Sequence, residues 1–251
     1  MKDKKTATEN RIYQAFASVY DLFMSDVPYR EWAARIDEIL SHRGNGLVLD
    51  LSCGTGSLTR ELSALGYELI GLDSSEDMLM AARAKNPGVL FIQQELTSFE
   101  LYGTVDAVVS TCDSLNYLLK PQELEKVLKL IRNYLNPGGL FIFDMNTAYK
   151  YSGILGDETF SDTYDEAAFI CENHFDLKTK VHSYYTTFFI SDGQGKFDRF
   201  EECHNQYAYS VAEVNNMLTK HGFEVSGMYD GYSTNALTAD SERVLFVCRK
   251  Q

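Results

Sequence analysis

The sequence has no apolar run approaching the ~20 residues that cross a bilayer, so no membrane-spanning segment is expected. No apolar stretch follows the lysines of the opening MKDKKTATEN, which excludes a signal peptide and leaves residues 1–10 as an expected disordered tail. Cysteine is sparse: the five, at positions 53, 112, 171, 203 and 248, are odd in number and form no C-x-x-C pair. That argues against a disulfide framework or a zinc site and predicts a reducing, cytoplasmic setting. Basic charge is also short. Lys and Arg number 23 against 36 Asp and Glu, a net charge of −13 with no basic patch, so a phosphate backbone would be repelled. The expected partner is a small molecule rather than a nucleic acid or a membrane, for a monomer or homodimer. No Ser/His/Asp or paired-carboxylate constellation is visible. His174, His182 and His204 lack metal-ligand spacing and read as sheet side chains, so no metal site is expected.

The chain is long enough, at 251 residues and 45% apolar, to bury one sizeable α/β core or a core with a small insertion. Its organising stretch is Leu47–Thr59, LVLDLSCGTGSLT, in which an apolar run ends at Asp50, passes Gly54 and Gly56, and turns helical at Ser57. A buried strand, a glycine turn and a helix N-terminus form the geometry that cradles a nucleotide-like ligand. A second apolar run, Leu69–Leu72, ends in Asp73, an acid placed to accept both hydroxyls of a ribose. NAD and S-adenosylmethionine (SAM) both use this arrangement. The dinucleotide fingerprint G-x-G-x-x-G fails because Thr59 stands where its third glycine belongs, and Asp50 would repel a pyrophosphate. SAM carries an ammonium and a sulfonium and no phosphate, so the loop favours SAM.

The rest of the chain alternates helical and strand patterns. Apolar runs ending near Ile92, Ser110 and Asp144 read as strands three to five, and Pro121–Leu135 as a helix. In an open parallel sheet the carboxyl ends of the strands border the ligand crevice, which places 110–117 against the reacting group. Cys112 lacks the preceding proline of a cytosine-methylase nucleophile and reads as a small buried residue. From 149 to 209 the pattern becomes period-two and aromatic, predicting an antiparallel β insertion with strands at Phe169–Phe175, His182–Ile190 and Lys196–Tyr209. Between 151 and 209 there are eleven acids against four bases. They form either a solvated surface or an acceptor-facing wall, and Tyr and Phe beside Asp and Glu in the insertion make amines the first-choice acceptors, with hydroxyl or carboxyl acceptors behind. Val211–His221 is a helix, and the last two strands follow it.

Asp50-Leu51-Ser52-Cys53-Gly54-Thr55-Gly56, with Asp73-Ser74-Ser75-Glu76-Asp77-Met78, resembles the first two motifs of class I SAM-dependent methyltransferases. Tyr13–Asp21, with Asp26–Trp32, narrows this to a bacterial small-molecule-type subgroup of mostly unassigned substrate, similar from about Ile12 to the C-terminus. The resemblance implies a Rossmann-like, seven-stranded, mostly parallel sheet of order 3-2-1-4-5-7-6 with helices on both faces and the antiparallel insertion after strand five. It implies a helical lid over 11–43, a SAM-binding core over 44–148 and 210–251, and an acceptor-side insertion over 149–209. The implied cofactor site comprises Tyr13, Tyr20, Trp32, Asp50, Ser52, Cys53, Gly54, Thr55, Gly56, Asp73, Ser74, Met78, Glu95, Leu96, Cys112, Asp113 and Ser114, with Glu95 standing where the family usually has Asp. Candidates at the acceptor end are Tyr20, Asp113, Asn116, Tyr117, Asp144 and Asn146, with Tyr20, Tyr117 and Asp144 foremost for catalysis. The expected activity is methyl transfer from SAM (EC 2.1.1.-), giving S-adenosylhomocysteine (SAH), to nitrogen or oxygen of a small molecule. The alternatives are a catalytically silent SAM-binding sensor or partner-binding protein and, disfavoured by the missing glycine, an NAD-linked oxidoreductase.

Overall fold

The protein is described by a computed structural model over residues 19–41 and 46–251. Tyr13 therefore lies outside the described residues, as do the expected tail over 1–10 and residues 11–18, 42 and 43 of the expected lid. Residues 19–23 are helical, and Pro28 opens helix α1 (Tyr29–Ile39). Strand β1 (Leu47–Leu51) leads through the glycine loop to α2 (Ser57–Ala64) and β2 (Glu68–Asp73). Helix α3 (Glu76–Lys85) and strands β3 (Leu90–Gln93) and β4 (Val105–Ser110) follow. A 3-10 turn (Ser114–Tyr117) and α4 (Pro121–Tyr134) connect to β5 (Leu135–Asn146). After a π-helical turn (Lys150–Leu155) come β6 (Thr159–Thr163), β7 (Ala167–Asp176), β8 (Val181–Ser191) and β9 (Phe197–Tyr207). Helix α5 (Val211–Lys220), β10 (Phe223–Asp230) and β11 (Arg243–Lys250) complete the chain.

The main sheet runs β3-β2-β1-β4-β5-β11-β10, the expected order 3-2-1-4-5-7-6. Strands β1 to β5 are parallel neighbours, and β11 enters antiparallel between β5 and β10. Successive side chains on each strand point to opposite faces, so the continuous apolar runs serve two cores. On one face Leu49, Leu51, Val108, Phe141 and Phe143 pack under α4 and α5. On the other, Val48, Ala107, Val109 and Ile142 pack under α1 and α2. Leu124, Val127, Leu128 and Ile131 of α4 recur at helical spacing and are almost wholly buried. Each contributes about 1.5–3 kcal/mol by removal from water.

The second sheet, β6-β7-β8-β9, is antiparallel throughout. Its edge strand β6 has no counterpart in the sequence pattern, because Thr-Phe-Ser-Asp-Thr is exposed at every position and lacks an apolar alternation. Cross-strand register puts Phe169, Cys171, Asn173, His182, Tyr184, Thr186, Phe188, His204 and Gln206 on one face. That face looks toward the carboxyl ends of β1, β4 and β5. The module leaves the main sheet after Asn146 and is complete at Tyr207, and both ends are tied by the buried Asn116. Its amide donates to the carbonyls of Tyr207 (2.9 Å) and Asn146 (3.4 Å) and accepts from the Asn146 amide (3.1 Å). No helix among the described residues is long and apolar enough to cross a membrane.

Candidate functional site

The glycine loop is shaped by backbone conformations that ordinary residues avoid. Gly54 (φ +52°) would carry a Cβ into open space, so its bare backbone faces the cavity. Gly56 (φ +72°) answers to a different constraint. A Cβ there would meet the Asn86 amide at 2.7 Å, so this glycine seats the loop against α3. Asp73 locks the loop from the next strand. One carboxylate oxygen accepts the Gly54 amide at 2.9 Å and the other accepts the Ser75 amide at 2.9 Å. Burial raises the Asp73 pKa, and those two amides oppose the rise.

Asp50 is buried at the end of β1 and accepts the Thr59 hydroxyl at 2.5 Å. Burial pushes its pKa up to about 7, with the Thr59 bond opposing and Asp73 adding. The segment before α1 is fastened to this loop. Asp21 accepts from the Thr55 hydroxyl (2.6 Å) and from the Lys85 ammonium (2.7 Å), a latch that sequence reasoning did not single out.

At the end of β4, Cys112 (φ 57°) and Asp113 (φ 51°) both take the left-handed conformation, which costs non-glycine residues energy. The turn is held because both amides donate to Asp144, at 3.1 and 2.7 Å. Asp144 also accepts the Tyr232 hydroxyl (2.6 Å) and the Arg243 guanidinium. Arg243 forks to Asp113 as well, at 2.7 Å. Burial alone would raise the Asp113 pKa, but the Arg243 charge and the Gln206 amide hold it below the usual range. A buried carboxylate pair is tolerable only with such a partner. Neither Arg243 nor Gln206 was singled out from the sequence. Cys112 has its thiol pushed up to about 12 by burial and the neighbouring carboxylates, which fits a small buried residue rather than a nucleophile.

These pieces border one cavity of about 860 Å³, large enough for a nucleoside-sized ligand together with a second molecule. Of the expected cofactor residues, Tyr20, Asp50, Ser52, Cys53, Gly54, Thr55, Asp73, Ser74, Met78, Glu95, Leu96, Cys112, Asp113 and Ser114 all line it. Three residues differ. Trp32 lies off the cavity, stacked on Tyr232 at 4.2 Å, because α1 turns its aromatic face to the sheet. Gly56 is occupied with Asn86, as described. Asp144, an acceptor-end candidate, is fully buried behind the turn it holds and does not reach the cavity. Tyr20 and Tyr117 do line it. Burial pushes both phenols well above their ordinary range, so neither is ionised near neutrality.

The far wall is the inner face of β6–β9, with Phe160, Phe169, Asn173, Tyr184, Thr186 and His204 among its side chains. None of the insertion's eleven acids lines the cavity. Of the two readings of those acids, the acceptor-facing wall is not the one found, while the aromatic side chains that also favoured an amine do line the cavity. Alternation turns Glu172, Asp176 and Glu201 outward, five others sit in the turns, and Asp162, Asp198 and Glu202 share the inner face without reaching the cavity. His182 is buried on this wall with neither ring nitrogen hydrogen-bonded, and burial pushes its imidazole down to about 4. Among the described residues no cluster of His, Cys, Asp or Glu could hold a metal ion.

Residues 48–139 match a family model described as a methyltransferase domain. YqeM of Bacillus subtilis (strain 168), a methyltransferase by name, is 36% identical over 247 residues, covering 95% of this chain and 97% of that protein. Among solved structures, a SAM-dependent methyltransferase from Clostridium acetobutylicum ATCC 824 superposes with a TM-score of 0.85. It is 31% identical, and the match covers 95% of this chain and 99% of that one. The SAM-bound CalS10 of Micromonospora echinaspora, an amino pentose methyltransferase, has a TM-score of 0.75 at 21% identity, with 93% and 97% covered.

Proposed function

Because the chain belongs to the class I SAM-dependent methyltransferases, we propose that it methylates nitrogen or oxygen of a small-molecule acceptor. The acceptor would lie between the 19–29 segment and the β6–β9 sheet. The observation that carries this reading is the single cavity joining the Asp73 glycine loop to the inner face of the second sheet. Amino pentose methylation in CalS10, on the same fold, is consistent with it, as is the net charge of −13, which disfavours a phosphate backbone. The five free cysteines suit a reducing compartment.

SAM supplies a methyl group already activated on a sulfonium. The residues here bind and align. The bare Gly54 backbone leaves room for the ligand, Asp73 faces the ribose end, and Asp50 contributes negative charge beside a cationic ligand. Tyr20, Phe23 and Met24 close the cavity from the N-terminal side and exclude water. Residues 11–43 acting as a lid would follow, with the Asp21 latch as the contact released on opening.

The test offers methyl-labelled SAM to a deproteinised metabolite extract, to total RNA and to DNA. Label in the small-molecule fraction is expected. Incorporation into nucleic acid with none into small molecules would overturn the reading, and binding of SAM without transfer to any fraction would favour the silent sensor.

A further inference from the structure

Methylating a hydroxyl, or an amine that enters with its proton, requires that a proton leave the acceptor. The titratable candidates at the acceptor end do not supply a base. Tyr20 and Tyr117 are held protonated, Asp113 is held by Arg243 and Gln206, and Asp144 is saturated behind the β4 turn. On the opposite wall, Glu202 and His204 stand two residues apart on β9 and therefore share the face that borders the cavity. The Glu202 carboxylate lies 2.9 Å from Nε2 of His204. A carboxylate only accepts, so Nε2 carries the proton and Nδ1 keeps the lone pair of the neutral ring. The imidazole is fixed further by stacking on Tyr184 (4.9 Å, 16° between planes) and by edge contact with Tyr117 (5.9 Å, 86°). Those two tyrosines hydrogen-bond to one another through their hydroxyls. A third of the His204 side chain is exposed, at 32%, against 18% for Glu202, so the base is open and its orienting partner is shielded.

We propose that Glu202 and His204 form the proton-accepting dyad of the acceptor site, serving an acceptor whose nucleophilic oxygen or nitrogen must lose a proton. The inference rests on the methyl-transfer reading above. As the acceptor's lone pair forms its bond to the methyl carbon, the breaking S–C pair stays on sulfur. The heteroatom's proton passes to Nδ1 of His204, and Glu202 stabilises the imidazolium until solvent takes the proton. This is the arrangement of a base oriented by a third group. The titratable groups facing the ring are Glu202 from β9, Tyr184 from β8 and Tyr117 from the 3-10 turn.

Two measurements test it. Ring-nitrogen NMR of the full chain saturated with SAH is expected to show the Nε2–H tautomer of His204. An Nδ1–H tautomer would overturn the dyad without any reference to turnover. Label transfer into the metabolite extract is then compared between wild type, His204→Gln and Glu202→Gln, with SAH affinity measured by calorimetry as the check on folding. At pH 7, His204→Gln is expected to lose about 100-fold, the scale of general-base catalysis, and Glu202→Gln less. The His204→Gln rate should climb with hydroxide where the wild-type rate has levelled. Transfer by His204→Gln at the wild-type rate and pH profile refutes the dyad alone, whereas no transfer by the wild type removes the methyl-transfer reading and the dyad's role together.

Discussion

Asp73 is asked to do two things, and a single substitution separates them. In the ligand-free protein its oxygens accept the amides of Gly54 and Ser75, both at 2.9 Å, so Asp73→Ala should loosen the glycine loop before any ligand arrives. Hydrogen bonds to a charged group contribute about 1.5–3 kcal/mol each, so the pair holds about 3–6 kcal/mol. Removing the carboxylate also relieves the burial that raises its pKa, which offsets part of that loss. A net destabilisation of about 2–4 kcal/mol is expected by chemical denaturation. Ligand binding loses the ribose hydroxyls' acceptor in addition, about 2–4 kcal/mol, so calorimetry should show SAM and SAH bound at least tenfold more weakly. Asp73→Asn keeps one acceptor but turns an NH2 toward an amide donor, and should fall between wild type and Asp73→Ala in both measurements. If Asp73→Ala is destabilised while SAH affinity stays within threefold of wild type, Asp73 only braces the loop and the ribose assignment is wrong.

Replacing Arg243 by Met should cost about 3–5 kcal/mol, because it leaves Asp113 and Asp144 buried without their shared cation; an unchanged denaturation midpoint would refute this. The His182 imidazole, lowered from 6.5 to about 4, resists protonation in the folded state. Its contribution is complete above pH 6.5 and is lost as pH falls toward 4, by at most about 3 kcal/mol at 1.36 kcal/mol per unit. Asp50, raised from 3.8 to about 7, titrates in the opposite sense over an overlapping range, so the measurement is the wild-type stability profile minus that of His182→Gln. A flat difference between pH 4 and 7 would contradict the assignment.

The SAM loop was legible because its signals are local. A buried parallel strand is a continuous apolar run, two glycines mark the turn, and Asp73 follows at the end of the next run. The strands β7–β9 were legible from period-two alternation, and β6 was not, since an edge strand exposed on both faces leaves no such trace. Arg243 escaped notice because its carboxylate partners lie 99 and 130 residues away in sequence. Which way the insertion's acids point was legible in principle. In β8 the alternation His182, Tyr184, Thr186, Phe188, Ile190 defines one face, and extending it by register across β7 and β9 turns Glu172, Asp176 and Glu201 away while keeping Asp198 and Glu202 on that face. Trp32 was misplaced because a motif fixes which residue is present, while the rotation of α1 fixes what it meets.

The Asn116 clip has a consequence for how such a protein can change. It draws together the end of β5 at Asn146, where the chain leaves the main sheet, and the end of β9 at Tyr207, where the second sheet is complete, so the 60 residues between them hang from one neck. A loop whose ends are already pinned adds little closure entropy as it lengthens or shortens. Strands can therefore be exchanged, extended or recoded on the module while the donor-binding half keeps its geometry. The two halves are free to diverge at different rates, and substrate range can drift while the methyl donor stays the same.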